Sequence, residues 1–282
     1  MMKRFRSAGL RALREFACVP LKALPVTQRS MALDRLVGSM ISEVEVPGGI
    51  LSLATPTPLL QARARSALSK ETDTIAWIDR FESSDVFWDV GANIGVFSLY
   101  AALCSRALVL AFEPSAANYM VLCRNIQINA LGDRIVPYCI ALAGTTKLGV
   151  LNLSSQEMGA AVHQFGSPGE TSCYWDGEIC YAQGMAGYAI DDFIRQFKPP
   201  FPAHLKIDVD GLEMPILRGA TQTLRDKRLR SIMVELSIDG HGESEGVLAS
   251  LMDAGFALVS RGDVQTSAGH TAANHLFARM PQ

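Results

Sequence analysis

The stretch Val86-Phe87-Trp88-Asp89-Val90-Gly91-Ala92-Asn93-Ile94-Gly95 decides how the chain is read. A short apolar run ends in Gly91, which marks a buried strand turning tightly into a helix expected over about residues 95–105. The alternation continues downstream. A second buried strand is expected at 108–112, closed by Glu113-Pro114, with a helix at about 116–129 and a third strand at 135–141. After a gap come a helix near 191–196, a strand at 205–209 and a helix opening at Pro215, where proline suits a first turn. A strand at 232–236, a helix at about 245–254 and strands at 256–260 and 275–278 complete the series. Strands spaced by helices of this length predict an α/β fold with a doubly wound, mostly parallel sheet.

The flanks read differently. Pro20, Pro25 and the Pro47-Gly48-Gly49 turn punctuate the start, and apolar residues on both sides of that turn suggest a small hairpin. Residues 1–70 are therefore expected to form a helical and hairpin cap, with a helix at about 71–81 opening a main domain that runs from 71 to 282. Residues 145–187 are Gly- and Ser-rich and predict a loop-rich insertion near the ligand edge, with a strand at 150–153.

Hydrophobic residues make up 49% of the 282 and charged residues 19%, a globular composition that excludes wholesale disorder. The formal charge of −2 gives the whole chain no reason to bind nucleic acid. Six cysteines without a Cys-x-x-Cys pair read as idle thiols of a reducing compartment. The longest apolar run, 97–112, is broken by Ser98, Ser105 and Arg106, short of the ~18 uninterrupted residues of a membrane span. No leader-like apolar block follows the basic start, so a cytoplasmic protein is the expectation. Charge is unevenly spread: residues 1–30 carry a net +6 and the remainder −8. Phe5, Leu10, Leu13 and Phe16 can share one face of a basic helix. Such a helix either packs on the body or touches the inner face of an anionic membrane.

In open α/β sheets a ligand lies at the carboxyl ends of the strands. The first such end here carries Asp89, Gly91, Asn93 and Gly95, and Glu113 follows 24 residues after Asp89, placed to accept the hydroxyls of a ribose. A dinucleotide would want Gly-x-Gly-x-x-Gly against its pyrophosphate, but the middle position is Asn93, and Asp89 brings negative charge. S-adenosylmethionine has no phosphate and carries an ammonium and a sulfonium, so an acid suits it. A nicotinamide-dependent dehydrogenase is the disfavoured alternative. A cofactor-binding module without catalysis is another, and it would be expected to have lost the strand-end acids.

The strand at 205–209 continues into Asp210, Gly211, Leu212 and Glu213. Alternation puts Lys206, Asp208 and Asp210 on one side, with Glu213 in the turn beyond. Three acids at a sheet edge suggest either a general base for a hydroxyl or a pair holding magnesium. A purely structural role remains open, with Lys206 pairing one acid and the others capping a helix. His163 in the insertion and His241 in a Gly-rich turn are weaker candidates.

Together these stretches resemble the FkbM family of S-adenosylmethionine-dependent methyltransferases. The matching motifs are Ser69-Lys70-Glu71-x-x-Thr74, Trp77-Ile78, residues 87–95, Ala111-Phe112-Glu113-Pro114 and Asn125-x-x-x-Asn129. Residues 205–211, Glu213, Leu217-x-Gly219-Ala220 and Val234-Glu235-Leu236 complete the set, so the resemblance covers about 69–236. It implies a Rossmann-like methyltransferase fold, the cofactor at Asp89, Gly91, Asn93, Gly95 and Glu113, and O-methylation of a sugar, glycan or secondary-metabolite hydroxyl. The family often has Glu where this chain has Asp210. Asp208 is the expected base or metal acid.

Overall fold

A computed structural model describes residues 23–166, 178–238, 243–267 and 270–280. The helix expected around Phe5 to Phe16 and the turn holding His241 lie outside them. In chain order the elements begin with α1 (Val26–Gly38), the hairpin β1 (Ile41–Val46) and β2 (Gly49–Ala54), α2 (Pro58–Ser66) and α3 (Thr72–Ile78). Then come β3 (Val86–Val90), α4 (Val96–Tyr100), β4 (Leu108–Phe112), α5 (Ala116–Ile128) and β5 (Ile135–Tyr138). A π-helical turn, Ala101–Ser105, extends α4. The insertion supplies β6 (Ala141–Leu142), β7 (Lys147–Leu153), β8 (Gln164–Gly166) and β9 (Tyr181–Tyr188). The chain returns through α6 (Ile190–Phe197), β10 (His204–Ile207), α7 (Glu213–Arg218), α8 (Thr221–Arg225) and β11 (Ser231–Ser237). It ends with α9 (Glu243–Asp253), β12 (Phe256–Arg261), β13 (Gln265–Ser267) and β14 (His270–Arg279).

The main sheet runs β12-β14-β11-β10-β3-β4-β5, with β13 paired to β14. Its five strands from β11 to β5 are parallel, and β14 and β12 close one edge antiparallel. Parallel strands are covered on both faces, which explains their near-continuous apolar runs. Phe87, Val109 and Ile135 enter one core with α4 and α5, whereas Trp88, Leu110 and Ile207 enter the other with α6, α7 and α9. After β3 the chain builds β4 and β5 outward, then crosses back to lay β10 on the opposite side of β3. The facing carboxyl ends of β3 and β10 are thus the topological switch point.

The strand expected at 150–153 lies within β7, but the insertion is more ordered than expected. Its strands and β6, just before it, form a second sheet, β6-β9-β7-β8, over a small core of Ala141, Leu151, Leu153 and Phe165. Backbone pairing organises it despite its weak periodicity, because glycine lets Phe165 pack directly on the strands. A Cβ at Gly187 would lie 2.2 Å from that ring. The expected third strand is divided, 135–138 in the main sheet and 141–142 in this one.

The hairpin is fastened by α5. Asn129 Oδ1 accepts from the Ser52 N–H at 2.9 Å while its Nδ2 donates to the Ser52 carbonyl at 2.7 Å. One turn earlier Asn125 accepts from the Ala54 N–H and donates to the Ile94 carbonyl, both at 2.8 Å. Two side-chain amides one turn apart, Asn125 on α5 and Asn129 at its C-cap, thus take the place of a neighbouring strand and satisfy an open edge.

Candidate active site

Two glycines shape the end of β3. Gly91 adopts φ +85°, and a Cβ there would lie 1.9 Å from the Asp208 carbonyl oxygen, so only glycine lets the strand end rest on the loop after β10. Gly95, at φ +87°, precedes α4 where a Cβ would meet Leu122 at 2.4 Å. Between them Asn93 is also left-handed, at φ 51°. That turn aims the Asn93 N–H at Glu113 Oε2, 2.8 Å away.

Glu113 closes β4 and is 4% exposed. Its Oε1 accepts from the Ser115 N–H at 2.9 Å and from Asn118 Nδ2 at 3.3 Å. Burial outweighs these donors and pushes the carboxyl up to about 7. Asn118 also donates to the Ala160 carbonyl at 3.0 Å and accepts from the Gly159 N–H at 2.8 Å, tying the insertion over this end of the sheet. Asn93 Nδ2 reaches the same carbonyl at 2.9 Å, leaving its Oδ1 buried without a hydrogen-bond partner.

Across the switch point lies a charged cluster around Lys206, which is 1% exposed. Its Nζ stands 2.5 Å from Asp208 Oδ2 and 3.6 Å from Glu71 Oε2. Burial disfavours the ammonium, but Asp208, Glu71 and Asp89 outweigh it and hold Lys206 protonated. Burial likewise works against Asp208, and Lys206 holds that carboxyl below its usual range. Glu235, at the end of β11, is driven well above the usual range by the Asp208 charge and then by burial. Thr74 and Asn274 donate to Glu71 at 3.1 and 3.0 Å, fixing that acid on Lys206.

Asp210 stands differently from the alternation reading, and Glu213 lies beyond the turn as expected. The strand ends at Ile207, and Asp210 is left-handed at φ 57°. Its carboxylate turns to the insertion and accepts from the N–H of Val162 at 2.7 Å. Val162, β-branched at φ 61°, is itself strained, so the two segments hold each other in unfavourable backbone. Glu213 folds back on its own loop, accepting from the Gly211 N–H at 3.1 Å and the Val209 N–H at 3.3 Å, and burial pushes it up to about 8.

These groups border a cavity of about 430 Å³, lined by Gly91, Asn93, Glu113, Asp208, Asp210, Glu213 and Glu235. Arg63 and Lys70 line it from the cap, Glu71 from the start of the main domain, and Val162 and His163 from the insertion. Asp89, expected to meet the cofactor, is a correction. It is 1% exposed, accepts from Ser98 Oγ at 2.6 Å and is not among the lining residues. Magnesium does not fit either. Asp208 already faces an ammonium, Asp210 and Glu213 face backbone N–H groups, and no cluster of three or more metal-type donors exists among the described residues.

Sequence reasoning left Glu71, Glu235, Asn118 and Arg63 out of the site. Glu71 and Glu235 stood in motifs that the family resemblance already drew on. Asn118 and Arg63 offered no local signal, since their roles depend on where the insertion comes to rest.

A doubly wound sheet with this cavity at its switch point is a Rossmann-like fold with a ligand site at the strand ends. The FkbM methyltransferase domain matches residues 89–258, more than half of the chain, and the protein belongs to that family. Hexuronic acid methyltransferase AglP of Haloferax volcanii is 27% identical over 175 residues, which span 61% of this chain and 65% of that protein. Methyltransferase sdnD of Sordaria araneosa is 27% identical over 205 residues, 66% of this chain and 78% of that one. The crystal structure of methyltransferase FkbM from Methylobacillus flagellatus aligns with a TM-score of 0.47 at 13% identity, covering 88% of this chain and 59% of that one. No helix of the described residues is long and apolar enough to cross a membrane.

Proposed function

We propose that the protein transfers the methyl group of S-adenosylmethionine to a hydroxyl of a sugar, glycan or secondary metabolite. The observation that carries this reading is Glu113, a buried acid on the cavity wall, steered by three N–H donors and facing no cation within 4.0 Å among the described residues. A ribose diol would give that carboxylate the two O–H donors its burial lacks. The left-handed turn at Asn93 keeps the backbone close beside it. The family and the hexuronic-acid relative support the acceptor class.

When bound, S-adenosylmethionine supplies a methyl group on a positively charged sulfur. The chain's part is to hold an acceptor hydroxyl in line and to take its proton. Positioning supplies most of the acceleration, as in other reactions that hold two reactants face to face. Asp208 is the base. It stands at the carboxyl end of β10 with a quarter of its side chain exposed, and Lys206 keeps it ionised. The transferred methyl would leave its bonding electron pair on the donor sulfur, and the proton released from the acceptor oxygen would pass to Asp208.

Calorimetric titration of S-adenosylmethionine into the wild type and Glu113→Gln tests the reading. One-site binding, weakened about tenfold or more by the substitution, is expected for loss of charged hydrogen bonds. A folded wild type that binds none removes it.

A further inference from the structure

We infer that Arg63 and Lys70 form a carboxylate-binding site in the cavity wall, an assignment that rests on the methyl-transfer reading. The acids of the wall are already engaged. Asp208 pairs with Lys206, Glu235 leans on Asp208, and Asp210, Glu213 and Glu113 accept backbone N–H groups. The cations are not engaged in the same way. Arg63, half-buried on α2, is anchored only through Nε to the Gly159 carbonyl. Its two terminal nitrogens find no acceptor among the described residues, and no carboxylate there comes within 4.0 Å of the guanidinium. Lys70, exposed in the turn before α3, makes no side-chain bond among the described residues. His163 holds Ser154 Oγ at 3.4 Å through Nδ1, and its Nε2 is buried without a partner.

Both cations line the cavity, and both interact with Asp208 and Asp210. His163 lines the same cavity, and burial pushes its imidazole down to about 4. Ser154 Oγ donates to the Ala161 carbonyl at 2.7 Å, so His163 Nδ1 carries the ring proton and its Nε2 is an acceptor that gives a carboxylate nothing. A planar fork and an ammonium suit a carboxylate. Both come from the cap, outside the main sheet.

The carboxylate belongs either to the acceptor, as an acidic sugar, or to the amino-acid end of the methyl donor. Calorimetry of wild type and Arg63→Gln with S-adenosylmethionine and with its decarboxylated form separates the two. Initial rates on glucuronate and galacturonate beside glucose and galactose complete the comparison. If the donor's carboxylate is bound, Arg63→Gln weakens S-adenosylmethionine about tenfold or more and leaves the decarboxylated form unchanged. If the acceptor's is bound, donor affinity is retained and the preference for uronates over hexoses is lost. Arg63→Lys, which keeps charge without the fork, should fall between wild type and Arg63→Gln, and Lys70→Gln should move in the same direction. Equal binding of both donors together with no uronate preference, or a folded Arg63→Gln protein identical to wild type, overturns the site. A folded wild type that binds no S-adenosylmethionine overturns the methyl-transfer reading instead, and the site falls with it.

Helix α1 carries a second proposal on an independent observation. None of its 13 residues is buried, and Val26, Met31, Leu33, Leu36 and Val37 are exposed. Val26, Leu33, Leu36 and Val37 recur at helical spacing on one broad side. The helix follows directly on a strongly basic segment, within residues 1–30 that carry a net +6. Charge and apolar surface together fit one occupant, and we propose that α1 docks on an anionic lipid surface. Full-length protein should sediment with vesicles of phosphatidylcholine and phosphatidylglycerol but not with phosphatidylcholine alone. Leu33→Glu combined with Val37→Glu should abolish this while leaving the melting temperature unchanged. No sedimentation of the wild type, or sedimentation unaffected by the double substitution, overturns the proposal. So does a wild-type dimer in light scattering that the double substitution dissociates, since a second copy would then cover the helix.

Discussion

The two ends of the parallel sheet carry similar chemistry and put it to different use. At the amino end, Asp85, His204 and Ser231 form a complete relay. His204 Nε2 lies 3.0 Å from Asp85 Oδ2, and its Nδ1 lies 2.7 Å from Ser231 Oγ. Asp85 only accepts, so Nε2 carries the proton and Nδ1 accepts from the serine hydroxyl. Trp77 Nε1 donates to Ser231 at 2.8 Å, Phe81 stacks on the imidazole at 3.9 Å, and Arg230 pairs with Asp85. All of these groups but Arg230 are buried, and none lines the cavity. At the carboxyl end, Glu113 and Asp208 line a cavity, and Arg63 beside them keeps terminal nitrogens that find no acceptor among the described residues. Residue types suited to catalysis thus do nothing by themselves. A reactive site also needs room, and groups that folding has left unsatisfied.

Three measurements can break or sharpen that contrast. The largest effect belongs to Asp208→Asn, which should lower turnover about a hundredfold or more while S-adenosylmethionine affinity stays within about twofold. Unchanged turnover in single-turnover assays would remove Asp208 from the chemistry and make the carboxyl end resemble the amino end. Next is Ser231→Ala, which leaves the Trp77 N–H and His204 Nδ1 unpartnered in the interior. It should destabilise the fold by about 2 kcal/mol in denaturant unfolding and leave kcat unchanged. A fall in kcat at unchanged stability would show the amino end to be functional.

The smallest effect is read in pH. Glu113 and Glu213, at about 7 and about 8 against an ordinary 4.5, bind protons more tightly folded than unfolded. Their contribution is therefore fully present below pH 4.5 and is lost as pH rises through 8. His204, at about 4 against 6.5, is protonated more readily in the unfolded chain, so stability falls as pH drops from 6.5 to 4. His163 adds to that acid limb. Thermal melts should show Glu113→Gln flattening the alkaline limb and His204→Gln the acid limb, each by a few degrees. Identical limbs in both variants would mean the two ends are not electrically separate.

Much of the fold was legible because its signals are local. The strands near 86–90, 108–112 and 232–236 are apolar runs bounded by turn residues, and the structure places them within a residue or so of the expected limits. The second sheet was not legible, since its strands are held by backbone pairing across the insertion and by Phe165 packing on glycine. Asp210 shows the limit of alternation, which applies only while the chain stays extended. At Asp210 the backbone turns left-handed and sends the carboxylate to Val162.

The sequence by itself determined the switch-point turn from Gly91 to Gly95, the acid Glu113 after the next strand and Asp208 at the end of β10. Each follows from chain geometry over a few residues. Only the tertiary structure decided what those acids became. It buried Asp89 against Ser98 and brought Glu71 onto Lys206. It also left Arg63 with an unspent fork in the cavity. Ionisation and pairing depend on which groups share a desolvated space, and that space exists only once distant segments have closed around it.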